Sequence, residues 1–182
     1  MKIIRRKKVL YITGLFTVIT AWLITGISGP ALPTFSLFNS AFLIIFGYTA
    51  MVYDINEKRV PNLLVMLMIA GWMLIIAIMM FFDITNAIHL LADSVFGLLT
   101  GGSLFLLIYL LSKKGLGGGD VKFMAAAGLY LGIAGTIPAI LYGTVLAALT
   151  AAALILSKKI DRKDTIPLVP FLFIGIMITI LT

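Results

Sequence analysis

The sequence predicts an all-α protein, a polytopic membrane bundle of about seven transmembrane helices with its N-terminus in the cytoplasm. Three observations carry that reading. Of 182 residues, 62% are hydrophobic and only 12% charged, where a soluble domain carries roughly 25% charged residues. Apolar runs near the ~20-residue spanning length recur from end to end. No alternating pattern supports a barrel, so helices must satisfy the backbone in hydrocarbon. Finally, all 14 Lys and Arg fall on one side of a seven-span arrangement, as the positive-inside bias requires.

Residues 1–8 carry Lys2, Arg5, Arg6, Lys7 and Lys8, and an apolar run covers 9–27. A basic start and an apolar run have the outline of a signal peptide. This run is long, however, and Gly-Pro-Ala-Leu-Pro around Pro30 makes a turn rather than a cleavage site. It is expected to be a retained first span, with 1–30 an anchor ahead of a single membrane-embedded domain over 31–182. A second span over 37–53 ends at Asp54. The polar loop to Asn62 holds Lys58 and Arg59, and Pro61 suits the first turn of a third span, Asn62–Phe82. A short polar connection from Asp83 to His89 leads to a fourth span, 88–111. Ser112-Lys-Lys114 and a glycine run follow. A short fifth span (121–135), a sixth (137–156) and a final short one (167–182) complete the chain. Lys113, Lys114, Lys122, Lys158, Lys159, Arg162 and Lys163 then lie inside with the N-terminal bases. The net charge of +7 therefore reports orientation at a lipid bilayer, not nucleic-acid binding. Gly97-xxx-Gly101 and Gly128-xxx-Gly132 are spacings that let helices approach closely.

The chain has no Cys and one His. That excludes disulfides, thiol nucleophiles and thiolate or multi-histidine metal sites, and the reading calls for no cofactor and no metal. Chemistry must come from carboxylates, hydroxyls or Lys. In the seven-span arrangement Asp83 and Asp93 lie towards the outer side, and Asp161 and Asp164 lie in a basic loop. Asp54 and Asp120 both fall at cytoplasmic helix ends. Asp120 follows Gly117-Gly118-Gly119, a run that breaks helix and leaves open backbone beside the acid; Asp120 could also simply cap a helix starting near Val121. Two carboxylates brought together at a membrane boundary cannot both ionise easily and share a proton. One can then take a proton from water while the other protonates or polarises a scissile carbonyl. Lys122 either pairs with Asp120 or snorkels to the interface, and Asp93 has a helix polar group as its simplest partner.

Gly117-Gly-Gly-Asp-Val-Lys122, continuing Phe-Met-Ala-Ala-Ala-Gly-Leu-Tyr-Leu-Gly132, resembles the GxGD signature of type IV prepilin peptidases. Asp54, followed by Pro61-Asn62, is similar to that family's first aspartate motif. Ile166-Pro-Leu-Val-Pro-Phe171 resembles its entry to the last helix. The resemblance implies an integral-membrane aspartic protease of the plasma membrane with Asp54 and Asp120 catalytic. Gly117, Gly118, Gly119, Lys122, Pro61 and Asn62 fill supporting motif positions. Its partners would be prepilin-like precursors (type IV pilin, pseudopilin or archaellin), cut at the cytoplasmic face behind a basic leader. The absence of the family's cysteine-bearing insert points to the short form, without methyltransferase activity. An intramembrane protease of the signal-peptide-peptidase or presenilin type shares the glycine–acid motif but not Pro61-Asn62. A transporter using two boundary carboxylates stands behind both, because no inverted repeat is evident.

Overall fold

A computed structural model of the chain describes residues 14, 34–112, 116–161 and 166–182, with side chains described from Phe38 in the first continuous helix. The expected first span and the bases of the 113–115 and 162–165 segments fall outside these residues, apart from residue 14. The described chain is helical: α1 (Thr34–Glu57), α2 (Asn62–Phe82), α3 (Ile84–Leu111), α4 (Gly118–Leu156) and α5 (Val169–Leu181). The first four are long and apolar enough to cross a membrane, and α5 is a shorter apolar helix. The protein is an all-α membrane helix bundle.

Besides α1 running on to Glu57 and α4 starting at Gly118, two boundaries differ from expectation. Residues 84–87 belong to α3, because one residue suffices to part it from α2. Asp83 sits at φ −151° and ψ 84°, and its carboxylate accepts the Asn86 backbone N–H at 3.1 Å. That satisfies one of the donors a helix start leaves free. The second difference lies within α4, where the division between the expected fifth and sixth spans falls at Gly132 instead of between 135 and 137. Gly132 has φ 63° and ψ −176°, a conformation open only to glycine in practice.

The chain reverses there. A Cβ placed on Gly101 would touch both the Met124 carbonyl oxygen at 2.6 Å and Thr136 Cγ2 at 3.3 Å. In one straight helix those two residues would stand ~18 Å apart along the axis. The first arm (118–131) therefore runs antiparallel to α3, and the second arm (133–156) returns alongside it. The first arm rises only ~21 Å, less than the ~30 Å of hydrocarbon, so its broken backbone needs partners from other helices. Asp93 of α3 accepts the Ile133 N–H at 3.0 Å, and Asn39 of α1 donates to the Tyr130 carbonyl at 2.6 Å. Asp93 thus caps the second arm.

Close packing fixes this hairpin against its neighbours. The two small-residue spacings meet each other: a Cβ on Gly97 would strike the Gly128 carbonyl, and one on Gly128 the Gly97 carbonyl. A Cβ on Gly143 would meet Leu172 Cα at 2.8 Å, and one on Gly175 would strike the Ala139 carbonyl oxygen, so α5 runs antiparallel to the second arm. Small residues let helices approach where lipid offers no hydrophobic drive. The buried core of Leu43, Met68, Phe105, Phe123, Met124, Leu172 and Ile176 fills the centre. Buried polar bonds cross it: Trp72 Nε1 donates to Ser94 Oγ at 3.1 Å, and the Tyr130 hydroxyl donates to the Met68 carbonyl. Together these contacts gather one set of helix ends: the C-terminus of α1 and the N-termini of α2, α4 and α5.

Candidate active site

Asp54 lies in the last turn of α1 and is only 5% exposed. The helix stops one turn later. Lys58 takes a left-handed conformation (φ 51°) and its N–H returns to the Asp54 carbonyl at 2.9 Å. The Asp54 side chain points instead at α5, where Oδ2 accepts the Val169 backbone N–H at 3.0 Å. Pro170 stands in the first turn of α5, a place where its missing N–H costs nothing. The free donors of that helix start are a natural seat for a carboxylate.

Asp120 is 9% exposed and belongs to the first turn of α4. The cap of that helix is Gly117, not Asp120, so the helix begins at Gly118 and not near Val121. Asp120 reaches back as the third helical residue: Gly117 N–H donates to its Oδ2 at 3.1 Å, and Asp120 N–H donates to the Gly117 carbonyl at 3.1 Å. This closes the first turn in the manner of a capping box, with a glycine where a side chain would otherwise crowd the carboxylate. A Cβ on Gly117 would lie 3.1 Å from Asp120 Oδ2. The two carboxylates, from helices 66 residues apart in sequence, are near enough for their charges to interact.

The supporting positions divide by contact. Gly119 packs on the link between α1 and α2, where a Cβ would come within 3.1 Å of the Val60 nitrogen. Gly118 meets nothing: a Cβ there finds no atom within 4 Å. Pro61 is the N-cap of α2 rather than a residue of its first turn, at φ −62° and ψ 136°. Lys122 does not pair with Asp120; its Nζ donates to Asn62 Oδ1 at 2.9 Å. Glu57 and Arg59 form an exposed ion pair at 2.8 Å. Among the described residues, no group of three His, Asp or Glu side chains gathers as a metal site would require. What the arrangement offers chemically is a pair of desolvated carboxylates beside open, glycine-built backbone.

The seat of Asp54 on α5 has a sequence signal in Pro167 and Pro170, which bracket a helix start and so mark unpartnered N–H groups there.

Three known proteins match parts of the chain. The chain is 28% identical over 142 residues to the prepilin leader peptidase/N-methyltransferase of Bacillus subtilis, covering 76% of this chain and 53% of that one. It is 26% identical over 148 residues to the protein of that name from Aeromonas hydrophila, covering 78% and 49%. It is 36% identical over 66 residues to the one from Xanthomonas campestris, covering 36% and 23%. The chain thus spans about half the length, or less, of these relatives. No solved structure matches. The family profile described as the type IV leader peptidase family matches residues 41–156, a segment that holds both Asp54 and Asp120. By that match the chain belongs to the type IV leader peptidase family.

Proposed function

We propose that the protein is a membrane aspartic endopeptidase that removes the leader from prepilin-like precursors at the cytoplasmic face of the plasma membrane. The observation that carries the proposal is that Asp54 and Asp120 are both buried at one end of a membrane bundle, near enough for their charges to interact. One carboxylate withdraws a proton from water as its oxygen attacks the scissile carbonyl carbon. The other, holding the shared proton, donates to the carbonyl oxygen as it gains charge. The tetrahedral adduct then breaks its C–N bond. A proton passes to the leaving amine, and the products are a carboxylate and a new N-terminus. The acid–base steps need only these two side chains, and the titration belongs to the pair.

Lys58, Arg59 and Lys122 cluster at the same end of the bundle, and Lys158 and Lys159 follow the returning arm of α4. The positive-inside bias assigns that end to the cytoplasm. A substrate segment would enter beside Gly118, where the backbone is uncovered. The test is incubation of the purified chain in proteoliposomes with a leader-bearing prepilin-type substrate, the product mass locating the cut. A single cut on the cytoplasmic side, just ahead of the substrate's hydrophobic helix, is expected. No cleavage, or a cut within the hydrophobic segment, overturns the proposal.

A further inference from the structure

Each acid is held from its own side: Asp54 by the start of α5, Asp120 by Gly117. What sets the spacing between the two turns is a separate matter, and the structure supplies two direct ties. Gly119, beside Asp120, packs on the backbone and side chain of Val60, in the link that leaves the Asp54 turn. One turn away, Lys122 Nζ donates to Asn62 Oδ1, joining residues 60 positions apart. Asn62 is the first residue of α2, and Lys122 is two residues past Asp120.

We infer that Lys122 and Asn62 form a latch that holds the Asp120 turn at working distance from the Asp54 turn, making them positioning residues for the carboxylate pair. The inference rests on the proposed peptidase reading. Val60 is buried, whereas the Lys122–Asn62 bond is exposed. Water competes with an exposed bond, so it adds little to overall stability and instead selects one spacing among several. The ammonium meets a neutral amide oxygen, which makes the bond one of geometry rather than charge pairing. Small displacements matter here: a shift of ~1 Å in a catalytic group costs on the order of 100-fold in rate.

The experiment compares wild type with Lys122→Met, Asn62→Leu, the double variant and Asn62→Asp, which keeps an acceptor oxygen facing the ammonium. Each single variant is expected to lose up to about 10-fold in kcat, the most that the population shift from one weak exposed bond can carry, with KM within about twofold. The double variant should be no worse than either single one, because both remove the same bond, and Asn62→Asp should stay near wild type. The unfolding temperature should scarcely move. Additive losses, a loss carried by KM, or Asn62→Asp behaving like Asn62→Leu overturns the latch.

A second readout works without catalysis. The chain has no native Cys, so nitroxides on introduced Glu57→Cys and Gly118→Cys report the spacing of the two turns by pulsed electron spin resonance. A longer or broader distance distribution in Lys122→Met and Asn62→Leu supports the latch even if wild type cuts no leader, in which case the peptidase reading alone fails. An unchanged distribution in both variants overturns the latch even if wild type is a peptidase.

Discussion

Replacing Gly128 with Ala tests whether the α3–α4 seam is as tight as the structure shows. The added methyl would lie on the Gly97 carbonyl, with Gly97 C at 2.6 Å and Leu98 N at 2.9 Å. These are backbone atoms and cannot rotate aside. Restoring ordinary contact with the carbonyl oxygen requires the helices to part by roughly 1 Å, a gap that forfeits up to about half of each contact along the seam. Overpacking of this kind costs about 1–3 kcal/mol, and rigid backbone places it at the upper end. Ala returns ~1 kcal/mol through its helix preference. The net expectation is a destabilisation of about 2 kcal/mol. Reversible unfolding of the purified protein in mixed micelles measures it, with Gly118→Ala as the internal control, since a Cβ there meets no atom within 4 Å. Gly128→Ala at or above wild-type stability would refute the close crossing, and so would equal losses for the two variants.

Asp93→Ala should strip the Ile133 N–H of its acceptor and cost about 1–3 kcal/mol in the same unfolding assay. Asp93→Asn, which keeps an acceptor oxygen, should fall much closer to wild type. Asp83, outside the spanning helices, is held below the ordinary carboxylate range by hydrogen bonds from the Asn86 backbone and side chain. Its contribution is therefore present above the unfolded-state value of about 3.9 and fades as pH falls through the lower folded-state value. Asp83→Ala should flatten that part of the acid-unfolding profile and leave the profile unchanged near neutrality apart from a uniform offset. Lys58→Gly should raise stability by up to about 1–2 kcal/mol, read as a higher unfolding midpoint, because φ 51° strains an L side chain.

Much of this architecture was legible because hydropathy and charge are one-dimensional signals. The third span, Asn62–Phe82, appears with the boundaries its apolar run suggests. Asp54 and Asp120 stood out because acids flush with apolar segments are costly, and the structure buries both. The apolar runs put the turn between the fifth and sixth spans near residue 136, four residues past Gly132. Gly128, Gly132 and Gly135 look alike in sequence, and what selects Gly132 is Asp93 reaching in from another helix. Asp120 was read as a possible cap because the sequence does not reveal which residue of Gly-Gly-Gly-Asp begins the helix; the hydrogen bond to Gly117 decides it. Lys122 and Asn62 were each visible as motif positions, but their bond spans 60 residues. No local pattern encodes such a pairing.

Whether Asp54 and Asp120 act together in peptide hydrolysis is read most directly from single-turnover cleavage of a leader-bearing prepilin-type substrate in proteoliposomes by wild type, Asp54→Asn and Asp120→Asn, each first shown to be folded by its unfolding midpoint. Wild type should cut, and either substitution alone should lower the rate at least about 10²- to 10⁴-fold, the scale of a lost general acid or base. Cleavage at the wild-type rate by either folded variant would contradict their joint action.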